Sequence, residues 1–450
     1  MILVRNGVPS DNSTTPMEEI TLTKPESPPE RLRVAIDAQL ASGEHGGVEQ
    51  VVIGLASGLS ALQLGAEEYY FMVRPGQSAW LEPYIAGACR LLEIAAPEAP
   101  ITWRHRLVRA FPRLAAVRRR LVPKRRPSDA GTLVSVSDGV LERGGFDLVH
   151  FTKQYAFLTD VPSIYHPHDL QHLHLPEFFS EQGIRDREAN YRAFCEQATM
   201  VTVTSQWGKR DLMEHYGLAP EKIVVVPLAP AIAAYECSST TRADETVASM
   251  NLPADFVFYP AQTWPHKNHL RLIEALSLLN HKGMTVPLVC SGRQNEHFET
   301  IRTAVESAGL SDLVHFVGFV SPEALRALYG RARMLVMPTL FEAAGGFGPI
   351  AEAFAAGVPV ACSNVTSLPE EVGTAALLFD PYDVGSIADA VERLWSDAYV
   401  RELLAERGRV RISDYTWDRV ARVFRAHYRR ISRRPMSDED VAAIAEPTSF

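Results

Sequence analysis

"FVFYPAQTWPHKNHLRLIEALSLL", residues 256–279, carries the reading of the fold. A short apolar run ends in Pro260, a polar loop with Pro265 and Asn268 follows, and a helical pattern starts at His269. Strand, loop and helix of this kind recur downstream in "PLVCSG", "HFETIRTAVESAG", "VHFVGFV", "PEALRALYGRA", "RMLVMPT" and "VPVACS". Upstream, "RLRVAID" opens a buried strand, "GGVEQVVIGLASGLSAL" an amphipathic helix, and "EYYFMV", "FDLVHF", "SIYHPHD" and "MVTVTS" further strands. Such alternation predicts α/β domains, each a parallel sheet covered by helices on both faces.

The chain of 450 residues suits two such domains. Residues 1–30, rich in Pro, Ser, Thr and Glu, are expected to be a poorly ordered tail. A first open-sheet domain is assigned to 31–230, a polar linker to 231–253 and a second to 254–415. The helix at 416–432 has an apolar face suited to packing across both domains, and 433–450 is read as a loose tail. Two open sheets joined in this way face each other across a cleft, with ligands at the carboxyl ends of the strands.

The net charge of −9 argues against general nucleic-acid binding. No apolar run is long enough for a membrane span, and the N-terminus lacks the apolar core of a signal peptide. Cys89, Cys195, Cys237, Cys290 and Cys362 are isolated, as expected of thiols in a reducing cytoplasm. One segment departs from the acidic average: "WRHRLVRAFPRLAAVRRRLVPKRR", residues 103–126, has no acidic residue. It reads either as a solvated basic face or as a peripheral contact with anionic lipid, which would place the chain at the inner face of a membrane.

In "LFEAAGGFGPIAEAFAAGVPVACSNVTSLPEE", residues 340–371, Pro349 can open a helix and Gly357 end it. This reading gives a two-turn helix over 349–356, approached through Gly345, Gly346 and Gly348, whose exposed N–H groups suit an anion. Glu352 is then in the first turn, with Glu342 before the glycines. At 267–268, Lys267 and Asn268 occupy another helix start, where the dipole disfavours a lysine unless an anion neutralises both. Gly46 and Gly47 form a comparable helix start in the first domain. In "YHPHDLQHLHLPEFF", residues 165–179, four imidazoles surround Asp169. His166 and His168 share a face at strand spacing, so a metal site is one reading of this stretch.

The chain resembles the group-1 (family four) glycosyltransferases of the GT-B fold. In the first domain the resemblance rests on "RVAIDAQ", "GGVEQ", "HDLQHLHLPEFF", "VTVTSQWGKRDL" and "EKIVVVPLAP". In the second it rests on "WPHKN", "HFVGFVSPEALRALYGRARMLVMPTLFEA" and "GVPVACSNVTSLPEEVGTAALLFDPYD", in family order. It implies a nucleotide-sugar donor, a glycan or lipid-linked acceptor, retention of anomeric configuration, and no metal or other cofactor. Lys267 would meet the donor diphosphate and Glu352 the ribose hydroxyls. Glu342, with Gly345, Gly346, Phe347 and Gly348, would contact sugar and phosphate, and Gly318, Phe319 and Val320 would lie beside the base. Gly46 and Gly47 would approach the diphosphate from the first domain, and His168, ending its strand, would face the sugar. By family habit the donor is mannose on guanosine diphosphate.

Two departures stand out. The family spaces its glutamates with seven residues between them, and here nine separate Glu342 from Glu352. The family's arginine five residues before the lysine is Gln262, leaving Arg293 as a second cation for phosphate. Other readings stay open: an epimerase or phosphorylase of the same fold, a metal-dependent hydrolase built on residues 166–174, and a sugar-nucleotide-binding protein without activity.

Overall fold

The computed structural model describes residues 3–5, 18–19, 31–40, 47–63, 65–94, 134–230, 247–343 and 347–445. Two sheets form its centre. The first contains β1 (Leu3–Arg5), β2 (Glu18–Glu19), β3 (Leu32–Asp37), β4 (Glu67–Val73), β5 (Cys89–Glu93), β6 (Leu148–Phe151), β7 (Ser163–Tyr165), β8 (Met200–Val203) and β9 (Ile223–Val225). Their order is β2-β1-β5-β4-β3-β6-β7-β8-β9, parallel from β5 to β9. The second contains β10 (Val257–Pro260), β11 (Leu288–Ser291), β12 (Val314–Gly318), β13 (Met334–Met337), β14 (Val360–Ser363) and β15 (Ala376–Phe379). Its order is β12-β11-β10-β13-β14-β15, parallel throughout.

Strands such as β6, LVHF, and β13, MLVM, are buried along their whole length, as helices on both faces require. Apart from β1 and β2, the chain builds each sheet outward one way from β3 or β10 and then the other. The order therefore reverses between β3 and β6, and between β10 and β13. Loops leaving the carboxyl ends of these neighbours diverge and open a crevice.

Several segment readings are corrected. The helix Trp417–Ile431 packs on the first domain: Trp417, Val420, Ala421, Phe424 and Tyr428 join the core that contains Val34, Leu55 and Phe71. Ile412, a few residues earlier, still belongs to the second core, so the chain crosses back between them. Glycines permit the close approach, because a Cβ at Gly54 would meet the Trp417 indole and one at Gly58 its backbone. Residues 438–445 form a helix and no loose tail. Its Asp440 is buried, ion-paired with Arg425 and Arg429, and Arg429 also holds Glu67 of β4.

Within 1–30, β1 and β2 add antiparallel strands, β1 pairing with the edge of β5 that would otherwise present unpaired N–H and C=O groups. Val247, read as linker, is buried in the second core. The basic segment 103–126, Cys237 and linker residues 231–246 lie outside the described residues. Cys89, Cys195, Cys290 and Cys362 are buried free thiols, and burial pushes Cys89 up to about 12. Among the described residues no helix is long and apolar enough to cross a membrane.

Gly54→Val forces a branched side chain against a rigid indole. Overpacking of this kind costs about 1–3 kcal/mol, so the thermal midpoint should fall, as read by circular dichroism.

Candidate active site in the cleft between the domains

The cleft is about 450 Å³, within the range of small-molecule sites. Its second-domain wall starts where β10 ends. Pro265–Lys267 make a single 3-10 turn, and Asn268 takes a left-handed conformation (φ 60°) before the helix His269–His281. The Asn268 amide donates to the carbonyls of Pro338 and Pro381, each at 2.8 Å, and its oxygen accepts from Arg271 at 3.0 Å. That corrects its reading as a donor contact: Asn268 does not line the cleft and braces the loops beneath it. The Tyr259 hydroxyl donates to the Lys267 carbonyl at 2.7 Å and fixes the backbone there.

Lys267 Nζ is ion-paired with Glu342 Oε1. The two meet because Lys267 follows β10 and Glu342 follows β13, neighbours at the switch point of the sheet. The positive charge at the helix start is thus answered by a carboxylate of the protein itself. The Thr339 hydroxyl lies 3.2 Å from the same oxygen. Glu342 is held at its backbone as well: its N–H donates to Thr366 Oγ1 at 3.1 Å, and its carbonyl accepts from Thr366 Oγ1 and from Ser367 Oγ at 2.9 Å.

Glu352 also lines the cleft, but its helix runs Phe347–Ala355 and begins two residues earlier than the proline suggested. Glu352 is therefore in the second turn, and the helix dipole accounts for little of its environment. It is 3% exposed, and its Oε1 meets no hydrogen-bond donor. Burial pushes the carboxyl up to about 7, with the Tyr329 hydroxyl acting in the opposite direction. An unpartnered buried acceptor beside a cleft fits ligand hydroxyl donors. Phe347 and Gly348 open this helix, while Gly345 and Gly346 lie outside the described residues.

The first-domain wall contains Gly47 and Val48, at the start of the helix Gly47–Ala61, with Gln154, His168, Asp169 and Gln171. Gly46 lies outside the described residues. β7 ends at Tyr165, and not at His168, which takes a left-handed conformation (φ 63°). Strand alternation, which would turn Asp169 to the face opposite His168, no longer applies beyond Tyr165, and Asp169 lines the cleft beside His168. Its Oδ1 accepts from the Gln171 N–H at 3.0 Å. His168 Nε2 lies 2.8 Å from the Thr152 carbonyl. A carbonyl only accepts, so Nε2 carries the proton. Burial lowers the affinity of the ring for a second proton, which leaves Nδ1 as an acceptor for a ligand hydroxyl.

The four imidazoles of 166–174 do not converge. His166 shares a hydrogen bond with His150 at 2.7 Å, and His172 pairs with Glu188 and His174 with Asp211. The four therefore do not form one metal site among themselves.

Gln262, Arg293, Phe319 and Val320 line the cleft, whereas Gly318 makes the left-handed turn (φ 70°) at the end of β12 and does not. Gln262 accepts from Trp264 Nε1 at 2.8 Å. Sequence reasoning missed Trp264, Tyr259 and His266 as lining residues. For Trp264 there was a signal, a large aromatic inside a polar loop, and it is 45% exposed.

Two Rossmann-like domains facing such a cleft define the GT-B fold. The chain belongs to the group 1, family 4 glycosyltransferases: the model "Glycosyl transferases group 1" matches residues 245–411 and "Glycosyltransferase Family 4" matches 45–229. It is similar to the Escherichia coli O-antigen chain mannosyltransferase B, 30% identical over 254 residues, or 56% of this chain and 66% of that one. It is also similar to the E. coli serotype-specific mannosyltransferase WbdA, 32% identical over 242 residues, or 52% of this chain and 29% of that one. The chain thus spans less than two thirds of either relative. Among solved structures, sucrose-phosphate synthase from Thermosynechococcus elongatus matches with a TM-score of 0.62 and 22% identity, covering 89% of this chain and 99% of that one.

Ionised Glu352 can accept from ligand hydroxyls on both oxygens, whereas its acid form keeps one good acceptor oxygen and donates from the other. A carboxyl titrating near 7 is mostly protonated at pH 6 and mostly ionised at pH 8. Titration calorimetry with a nucleoside diphosphate should show wild-type affinity rising across this window, relative to Glu352→Gln, by about tenfold. Parallel pH profiles would remove Glu352 from the site.

Proposed function

We propose that the chain transfers a hexose from a nucleotide-sugar donor to a growing cell-surface polysaccharide or a lipid-linked glycan, with retention of configuration. Mannose on guanosine diphosphate is the donor proposed, in keeping with the names of the mannosyltransferase relatives. The observation that carries the reading is one cleft containing both the Lys267 cation and the buried Glu352 carboxylate, whose Oε1 has no hydrogen-bond partner. A nucleoside diphosphate sugar has the matching parts: an anionic diphosphate and a ribose diol.

In the reaction the bond between the anomeric carbon and the phosphate oxygen breaks, and its electrons pass to the diphosphate. Lys267 is placed to stabilise that charge, in a pre-organised position. The incoming diphosphate competes with Glu342 for Lys267, which frees Glu342 to accept from the sugar hydroxyls. The acceptor oxygen attacks from the face the phosphate leaves, and its proton passes to the departing phosphate oxygen. His168 Nδ1 accepts from a sugar hydroxyl, and no step calls for a metal. A lipid-linked acceptor would bring the chain to the inner face of a membrane, with residues 103–126 as the contact.

The second reading, a nucleotide-sugar-binding protein without turnover, draws on Gln262, which supplies an amide where the family has a cation. A panel of nucleotide sugars with product mass analysis separates the two. Hexosyl transfer should appear with one donor, and Lys267→Ala should lower kcat/KM by about 10²–10³-fold. Glu352→Ala should weaken donor binding by about 1.5–3 kcal/mol. Donor binding without product favours the second reading; unchanged turnover in both variants overturns the site.

A further inference from the structure

We propose that His174, Asp211 and His215 bind a divalent transition-metal ion of the zinc class, at a site separate from the cleft. Asp211 and His215 are four residues apart on the helix Gln206–Tyr216, so their side chains lie on one face. His174, at the end of the short helix Gln171–His174, meets them from the other side. Its Nε2 is 2.8 Å from Asp211 Oδ1, and His215 Nδ1 is 3.1 Å from the same oxygen. All three ligand atoms lie within 4.8 Å of one another.

That spacing is close to a coordination shell. Zinc bonds of about 2.0–2.2 Å put tetrahedral ligand atoms roughly 3.3–3.5 Å apart, so small side-chain rotations suffice. Two imidazoles and one carboxylate suit zinc and its first-row neighbours better than calcium or magnesium, which prefer oxygen alone. Three protein ligands leave a fourth position for water. Exposure fits as well. Asp211 is buried, which fixes the carboxylate, while the His174 and His215 side chains are 29% and 31% exposed and leave the ion a way in. His215 Nδ1 also lies 3.0 Å from the Asp211 carbonyl and so carries a proton in the ion-free unit. An ion would displace that proton and turn the ring off the carbonyl, with His174 Nε2 and His215 Nδ1 then serving as lone-pair donors and each ring keeping a proton on its other nitrogen.

None of the three residues lines the cleft, so the ion takes no part in the proposed transfer. Its place suggests what it does. The His174 ring lies 5.2 Å from Phe341 and 5.5 Å from Trp207. Phe341 directly precedes Glu342, and the Trp207 N–H donates to Glu370 of the second domain at 2.9 Å. A metal would lock the first-domain surface against which Phe341 packs.

The test uses the full chain, stripped with a chelator and titrated with zinc by calorimetry, and with cobalt(II) by visible spectroscopy. The proposal expects about one ion per chain, d–d bands of a four-coordinate cobalt, and a zinc-dependent rise in thermal midpoint. His174→Ala and His215→Ala should each abolish all three. Circular dichroism and nucleotide binding in the cleft check that both variants fold. No saturable binding to the wild type would overturn the proposal and leave a hydrogen-bonded His–Asp–His unit. Undiminished binding in either folded variant would overturn it too.

Discussion

The ion pair between Lys267 and Glu342 is the constraint around which the second domain's half of the cleft is arranged. It spans the switch point between β10 and β13, where loops leave neighbouring strands in opposite directions. A lysine at the start of a helix would face the positive end of the dipole alone; the carboxylate across the crevice makes that position tenable. The Glu342 backbone is pinned by Thr366 and Ser367, so the pair has a fixed location.

The same loop faces two ways. Glu342 turns into the cleft, while Leu340, Phe341 and Ala343 pack on Leu175, with Phe178 and Trp207 against them. Beside this contact the Glu370 carboxylate accepts from the N–H groups of Gln206 and Trp207, capping a helix of the opposite domain. The residues that hold the domains together are therefore continuous in the chain with a residue of the site.

The alternation of strand and helix, the two-domain plan and the cleft were legible in the sequence, because apolar period and turn chemistry act locally. Lys267 was legible for the same reason, as a local charge in the wrong place. The errors fall where tertiary partners decide. Asn268 sits at a helix start like Lys267, yet two carbonyls from distant loops claim its amide. Asp169 enters the cleft because His168 turns the chain left-handed, which no strand alternation foretells. Asp440 makes a helix of an apparent tail through arginines on another helix. In the histidine stretch, neighbours in sequence have separate partners: His168 lines the cleft, as read, while His174 joins residues 37 and 41 positions away, which sequence proximity does not reveal.

On the proposed function, Lys267 and Glu352 mark two ends of one nucleotide-sugar site. A crystal structure of the chain with guanosine diphosphate tests it most directly. Diphosphate oxygens should lie at Lys267 Nζ and both ribose hydroxyls on the Glu352 carboxylate, with Glu342 released from the lysine. A nucleotide bound elsewhere, or one in the cleft with its ribose away from Glu352, would contradict it.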